Sequence, residues 1–205
     1  MVVTNHGIPD SLIGRVMNWL SKFFNQSDEE KRRYDTNDPT DRIRFRWGGR
    51  TQRELLHMRA HPTFHCPTKP ADSIMLHRKQ NEAGIGLQRF GPNYYPALSQ
   101  SSDDKNQIGQ FPHRDPGLLV LLAQNILTNG KYKSLLHRVA LNSEVERMSL
   151  PFFFGPSLDV TVKPEPEFVD DHNPPSYRQM TYKAYLESND HHVIEARANL
   201  NQIRL

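Results

Sequence analysis

Apolar positions recur at helical spacing over residues 10–25, where Leu12, Ile13, Val16, Met17, Leu20, Phe23 and Phe24 share one stripe. The expected element is an amphipathic helix with that stripe in a core. Asp10, after Pro9, is its expected N-cap. Ser27 and Glu30 have capping-box spacing, which predicts a second short helix running to about Tyr34. Residues 35–84 lack such order. They are polar, broken by Pro39, Pro62, Pro67 and Pro70, and rich in arginine, and they read as loop. From residue 85 the pattern changes to short apolar runs at 85–90, 118–123, 135–141, 148–154 and 160–162. Asn129-Gly130, Gly155-Pro156 and Asn173-Pro174-Pro175 mark turns between them. Short strands at this spacing predict a sandwich or barrel. Thr181 stands where it caps a last short helix, from Tyr182 to about Glu187.

Composition narrows the class. A chain of 205 residues suits one domain or part of a larger one, and 36% hydrophobic residues make its core thin. A net charge of +3 is a weak field and selects no partner by itself. The longest charge-free apolar stretch, 116–126, is too short to span a bilayer, and no signal peptide opens the chain. No membrane partner is therefore expected, and the cytoplasm is the expected location. A single cysteine, Cys66, excludes an internal disulfide and fits a reducing compartment. The opening Val2-Val3-Thr4 reads as the inside of a strand, so an upstream piece is expected.

The arginine-rich stretch invites two readings that the residues do not sustain. Phe45 and Trp47 interleave with Arg42, Arg44, Arg46 and Arg50, as in single-strand nucleic-acid binders. Asp35, Asp38, Asp41 and Glu54 interrupt any continuous basic face, and no finger or helix-turn-helix pattern is present, so no nucleic-acid partner is expected. His57, His61 and His65, with Cys66, would line one helix face as zinc ligands. Pro62 breaks that helix, and no second pair closes the site. His191-His192 reads as a solvated tail.

A different constellation carries chemistry. His113 and Asp115 are two apart, so on a strand they point to one face and can reach one metal ion. Such a pair often arises by chance. His137, inside the apolar run 135–139, reads either as a core histidine or as a third ligand. Two histidines and a carboxylate make the facial triad of non-haem iron(II). Arg147 and Ser149 again share a strand face and offer a bidentate fork and a hydroxyl, which suit a dicarboxylate.

With these residues in place, the sequence resembles the plant iron(II)- and 2-oxoglutarate-dependent dioxygenases. The resemblance runs through the blocks VTNHGIPDSLI, NYYPALSQ, HRDPGLLVLLAQ, LTNGKYKSLLHRVALNSEVERMSLPFFFGPSLD and NPPSYRQMTYKAYLE. It implies a mainly β fold with flanking helices, a double-stranded β-helix or jelly roll, here incomplete. It implies that His113, Asp115 and His137 hold Fe(II), and that Arg147 and Ser149 hold the far carboxylate of the cosubstrate 2-oxoglutarate. Asn93 and Tyr95 would hydrogen-bond that cosubstrate. In the family's chemistry 2-oxoglutarate and O2 are consumed, carbon dioxide and succinate form, and a small organic substrate is hydroxylated or desaturated. The implied partner is a small plant metabolite or hormone, with Phe90, Phe152, Phe154 and Tyr182 as expected pocket walls.

The resemblance also implies three departures. The family's N-terminal extension is absent, and only IMLHRKQNEA stands where a long helical stretch is usual. Asp115 and His137 are only 22 positions apart, under half the family's usual separation, so two jelly-roll strands are expected to be missing. The expected organisation is a shortened N-terminal helical and loop region at 1–84, an internally deleted core at 85–180, and a C-terminal helix and tail at 181–205. The alternative reading is a catalytically dead, truncated remnant that keeps a partial metal site.

Overall fold

The computed structural model describes residues 7–38, 40–47, 51–61, 63–70, 86–97, 108–113, 126–133, 136–189 and 203–205. The apolar stripe forms helix α1, Asp10–Phe24, and buries Trp19, Leu20, Phe23 and Phe24. Pro9, not Asp10, occupies the N-cap, and Asp10 lies in the first turn. A proline entering a helix brings its φ ready-set, and an acidic first turn faces the positive end of the dipole. Helix α2, Asp28–Arg32, starts as expected: the Ser27 hydroxyl accepts from the Glu30 backbone N–H at 3.4 Å.

The loop reading of residues 35–84 is corrected by two strands, β1 (Ile43–Trp47) and β2 (Glu54–His61), which pair antiparallel. Their sequence alternates. Ile43, Phe45 and Trp47 sit opposite Met58, Leu56 and Glu54, and Arg44 and Arg46 sit opposite His57 and Leu55. Alternation at period two sends the first set toward α1 and the second set to the other face. Phe45, Leu56 and Met58 join the α1 aromatics and Phe90 in one buried cluster.

The remaining strands are β3 (Gln88–Phe90), β4 (Asn93–Tyr95), β5 (Ile108–His113), β6 (His137–Ala140), β7 (Arg147–Ser149), β8 (Phe152–Phe154), β9 (Thr161–Val162) and β10 (Met180–Thr181). β3 and β4 form one line, broken by Gly91-Pro92; β7 and β8 form another, broken by Leu150-Pro151. The two lines pair in an unshifted register, from Gln88 opposite Phe154 to Tyr95 opposite Arg147. β3 and β4 also hold register with β2 up to Arg59, after which a bulge intervenes. Pro92 and Pro151 lack a donor, but their carbonyls accept from Leu56 and Gly91 at 2.9 and 3.0 Å. The result is a six-stranded antiparallel sheet whose strands come from both sides of residue 85.

α1 covers one face of this sheet. Over the other face lie β5, paired with β6, and the last helix, α3 (Tyr182–Asn189). Thr181 caps α3 as expected, accepting from the Ala184 N–H at 3.2 Å. A second core of Leu87, Ile126, Val162, Tyr177, Tyr182, Tyr185, Leu186 and Ile203 anchors that helix. The Asn129-Gly130 turn is present, with φ of 51° and 83°. Run 118–123 lies outside the described residues, as does the segment IMLHRKQNEA at 74–83. No helix among the described residues is long and apolar enough to cross a membrane.

One polar knot ties α1 and α2 to the sheet. Lys31 is 3% exposed, donates to the Phe24 carbonyl at 3.1 Å, and pairs with Glu54 at 2.9 Å. Burial raises the Glu54 carboxyl from its ordinary value, and Lys31 opposes that rise. Lys31→Ala strands a carbonyl and a half-buried carboxylate. It should destabilise the chain by roughly 2–3 kcal/mol, below the cost for a fully buried pair because Glu54 keeps some water. Glu54→Gln should cost less, since the amide still accepts from Lys31. The urea denaturation midpoints of the two variants check this order.

Candidate active site

The sheet face turned away from α1 encloses a cavity of about 170 Å³. Period-two alternation decides which side chains reach it. Arg53, Leu55 and His57 line it from β2 and the residue before, Arg89, Gly91 and Asn93 from β3 and β4, and Pro151 and Phe153 from the β8 line. Gln110 and His113 close it from β5, and Tyr182 and Leu186 from α3. The expected walls are therefore partly corrected. Tyr182 lines the cavity, but Phe153 takes the place of its neighbours. Phe90 packs in the α1 cluster, and Phe152 stacks on it at 4.4 Å from the outer side, 43% exposed.

The two histidines meet. Register places His113 opposite His137 across β5 and β6, with ring centroids 4.2 Å apart. His113 Nδ1 lies 2.8 Å from the Phe111 carbonyl. In the neutral ring this contact puts the proton on Nδ1 and the lone pair on Nε2, the atom a metal ion takes. Asp115 lies outside the described residues, and among those described no group of three His, Cys, Asp or Glu could hold a metal. The donor set that is present, two imidazoles at strand-pair distance with one ring fixed by its backbone, fits an iron(II) site with a carboxylate still to be supplied. The zinc reading of His57, His61 and His65 fails on secondary structure: His57 and His61 are on a strand, not a helix.

Asn93, Tyr95, Arg147 and Ser149 share this same sheet face. Asn93 sits opposite Ser149, and its amide donates to the Ser149 hydroxyl at 3.3 Å and to the Gly91 carbonyl at 3.0 Å. Its Oδ1 is buried with no hydrogen-bond partner among the described residues. An acceptor in that position suits a hydroxyl or a water; a carboxylate would reach it only through such a bridge. Tyr95 sits opposite Arg147, whose guanidinium stands 5.5 Å from the ring centre, and the Tyr95 hydroxyl donates to Gln110 at 3.2 Å. Gly109 makes room for that ring, since a Cβ there would lie 2.8 Å from it. Arg147 itself is exposed and does not line the cavity. Its neighbour Tyr94 turns the other way, stacks on Phe24 at 5.5 Å and donates to Glu146 at 2.8 Å.

Two cavity residues were not anticipated from the sequence, Arg53 and Arg89. No Asp or Glu is among the described lining residues, so the cavity is cationic. His57 shows the effect. Burial, then the guanidiniums of Arg89, Arg44, Arg53 and Arg46, hold its imidazole well below the ordinary value. Gly91 leaves space for that ring, with a hypothetical Cβ only 2.9 Å from it.

Comparison with known proteins bears on family and fold. Residues 1–93 match the family described as non-haem dioxygenase in morphine synthesis N-terminal, and residues 124–156 match the 2OG-Fe(II) oxygenase superfamily. A rice (Oryza sativa subsp. japonica) relative, 2-oxoglutarate-dependent dioxygenase 19, is 29% identical over 272 residues, covering 100% of this chain and 80% of the relative. The fold is similar to the crystal structure of JOX2 in complex with 2OG, Fe and JA, at 24% identity and a TM-score of 0.66, over 89% of this chain and 75% of that one. It is also similar to a rice dioxygenase for auxin oxidation, at 19% identity and a TM-score of 0.64, over 99% and 89%. The chain belongs to the plant iron(II)- and 2-oxoglutarate-dependent oxygenase family, with its mainly β, jelly-roll fold. This is a family of oxidoreductases that use Fe(II), 2-oxoglutarate and O2.

The depressed His57 gives a signed prediction. Its folded pKa lies below the unfolded value of about 6.5, so the unfolded chain binds more protons in the window just beneath that value. Its contribution to stability is present above about pH 6.5 and is lost as pH falls toward the folded value. The urea midpoint should therefore drop between about pH 7.5 and pH 5.5, and His57→Gln should flatten part of that slope.

Proposed function

We propose that this chain is an iron(II)- and 2-oxoglutarate-dependent dioxygenase that hydroxylates or desaturates a small plant metabolite or hormone. The observation that carries the reading is the meeting of His113 and His137, 4.2 Å apart, at the edge of a cavity shared with Asn93. In this reading His113, Asp115 and His137 hold the iron, and Arg147, Ser149, Asn93 and Tyr95 hold the cosubstrate. Iron(II), when bound with 2-oxoglutarate, supplies the oxidising chemistry with O2. The chain's own residues orient and enclose. Phe111 fixes the His113 ring through its carbonyl. Leu55, Leu87, Phe153 and Leu186 give the cavity apolar walls, which limit water around the reacting centre. The JA in the JOX2 complex and the auxin oxidised by the rice neighbour support a substrate of hormone size. The lone thiol of Cys66 goes with a reducing, cytoplasmic setting.

A second reading, a truncated remnant without turnover, has its own observations. The alignment with the rice relative runs over 272 residues against 205 in this chain, so the relative carries segments that this chain lacks. Among the described residues β6 pairs with β5 alone, and Leu136 beside it is 42% exposed. An apolar edge of this kind promotes aggregation.

Anaerobic titration of the purified chain with iron(II) and 2-oxoglutarate tests the first reading. A weak metal-to-ligand charge-transfer band should appear, and His113→Ala and His137→Ala should each abolish it. Absence of the band in the unaltered chain would rule the site out. Succinate formation coupled to oxidation of an organic substrate separates enzyme from remnant, because the remnant binds metal without producing succinate.

A further inference from the structure

We propose that the organic substrate carries a carboxylate, and that Arg89 receives it together with the Tyr182 phenol, at the end of the cavity away from the cosubstrate rows. The proposal rests on the dioxygenase reading above and names the substrate class for that site. Cross-strand rows divide the sheet wall of the cavity. Asn93 sits opposite Ser149, and Tyr95 opposite Arg147; these two rows are the expected cosubstrate end. Arg89 sits opposite Arg59 on one side and Phe153 on the other, further back along the same strand line. At about 3.3 Å per residue, its backbone stands roughly 13 Å from Asn93 and roughly 20 Å from Tyr95. The cavity wall therefore presents a guanidinium well away from the rows that the cosubstrate occupies in this reading.

The surroundings of Arg89 define what it can hold. Tyr182 opens α3 and is 3% exposed. Gly155 makes room for its hydroxyl, since a Cβ there would lie 2.3 Å from the oxygen. Burial raises the Tyr182 phenol from its ordinary value and Arg89 opposes the rise, so the phenol is a neutral donor within the field of the guanidinium. His57 is close as well: after burial, Arg89 is the largest influence that keeps it neutral, and its ring meets Phe153 edge-on at 6.3 Å. Leu186, one helical turn beyond Tyr182, and Leu87, two residues before Arg89, line the same cavity. This end thus offers a planar fork and a phenol O–H between apolar walls. A carboxylate on an apolar body matches both parts. An ammonium head would meet a like charge, and a neutral head would make only the weaker, uncharged hydrogen bonds. His113 lines the same cavity, so an acid anchored at Arg89 shares one space with the expected metal site.

The test holds an apolar body fixed and changes only its head. The full chain, loaded anaerobically with iron(II) and saturating 2-oxoglutarate, is titrated by calorimetry with phenylacetate, phenylacetamide and phenethylamine. The charge-transfer band reports whether 2-oxoglutarate stays bound. Phenylacetate should bind at least about tenfold tighter than the amide, the amine should bind weakest, and the band should persist. Arg89→Gln should erase the preference for the carboxylate, with amide affinity held within about twofold. Tyr182→Phe should reduce that preference by about threefold or more, and it carries the test if the glutamine variant does not fold. An unaltered chain that keeps 2-oxoglutarate and shows no preference for phenylacetate, or binds none of the three, overturns the proposal. Loss of the band on adding phenylacetate also overturns it, because the acid then competes for the cosubstrate site. A preference unchanged in both variants overturns it, as does equal weakening of all three ligands, the mark of a structural role. A chain that gives no band with 2-oxoglutarate alone overturns the underlying dioxygenase reading, and this proposal with it.

Discussion

The register that the β3–β4 and β7–β8 lines keep with each other on both sides of their prolines is the constraint on which the cavity depends. Pro92 and Pro151 interrupt the ladder's hydrogen bonds, yet the pairs on either side of them stay in phase. A slip of one residue would exchange every side chain between the two faces. Asn93, Tyr95, Ser149 and Phe153 would turn into the α1 core, and Tyr94, Met148 and Phe152 would enter the cavity. What prevents the slip lies on the far side. Phe45, Leu56, Met58 and Phe90 fit beneath Trp19, Leu20, Phe23 and Phe24, and nearly all of them are closed to water. The apolar core on one face therefore sets the polar chemistry on the other, although no residue belongs to both.

The same partition explains the arginines. On β1, Arg44 and Arg46 alternate with Ile43, Phe45 and Trp47, so the strand is aromatic on one face and cationic on the other. Arg44, Arg46, Arg53 and Arg89 surround His57; its burial first, and their charge second, hold its imidazole well below the ordinary value, which leaves the guanidiniums as the charge-bearing groups of this face. The fold concentrates positive charge on one sheet face even though the whole chain carries only +3.

Elements with a strong local signal were legible in the sequence. The α1 stripe, the Ser27 cap, the Asn129-Gly130 turn and the Thr181 cap each follow from a few neighbouring residues. β1 and β2 were not, because charged residues occupy their second face. Ile-Arg-Phe-Arg-Trp alternates strictly, but its arginines and the surrounding prolines make it look like loop. The pocket aromatics were misread for a related reason: three consecutive phenylalanines give no parity, and only the pairing of Arg89 with Phe153 fixes which one faces in. His113 and His137 could be named from motif spacing, but their meeting depends on a strand pairing distant in sequence. Arg53 belongs to no motif, and only its cross-strand place beside Tyr95 brings it to notice.

The guanidiniums of the cavity wall, Arg53 and Arg89, and that of Arg147 outside it carry the same charge in unlike surroundings. An exposed guanidinium is well hydrated, and water and salt screen what it offers an anion. One set in the cavity wall has already lost much of its hydration on folding, so a carboxylate arriving there displaces less water from it and interacts through a lower dielectric. The desolvation is a cost carried by the folded chain before any ligand binds, visible in the lowered Arg53 value and its unpartnered Nε. An anion that satisfies it binds the native state alone and stabilises that state by mass action. The register of the sheet determines where that side chain stands.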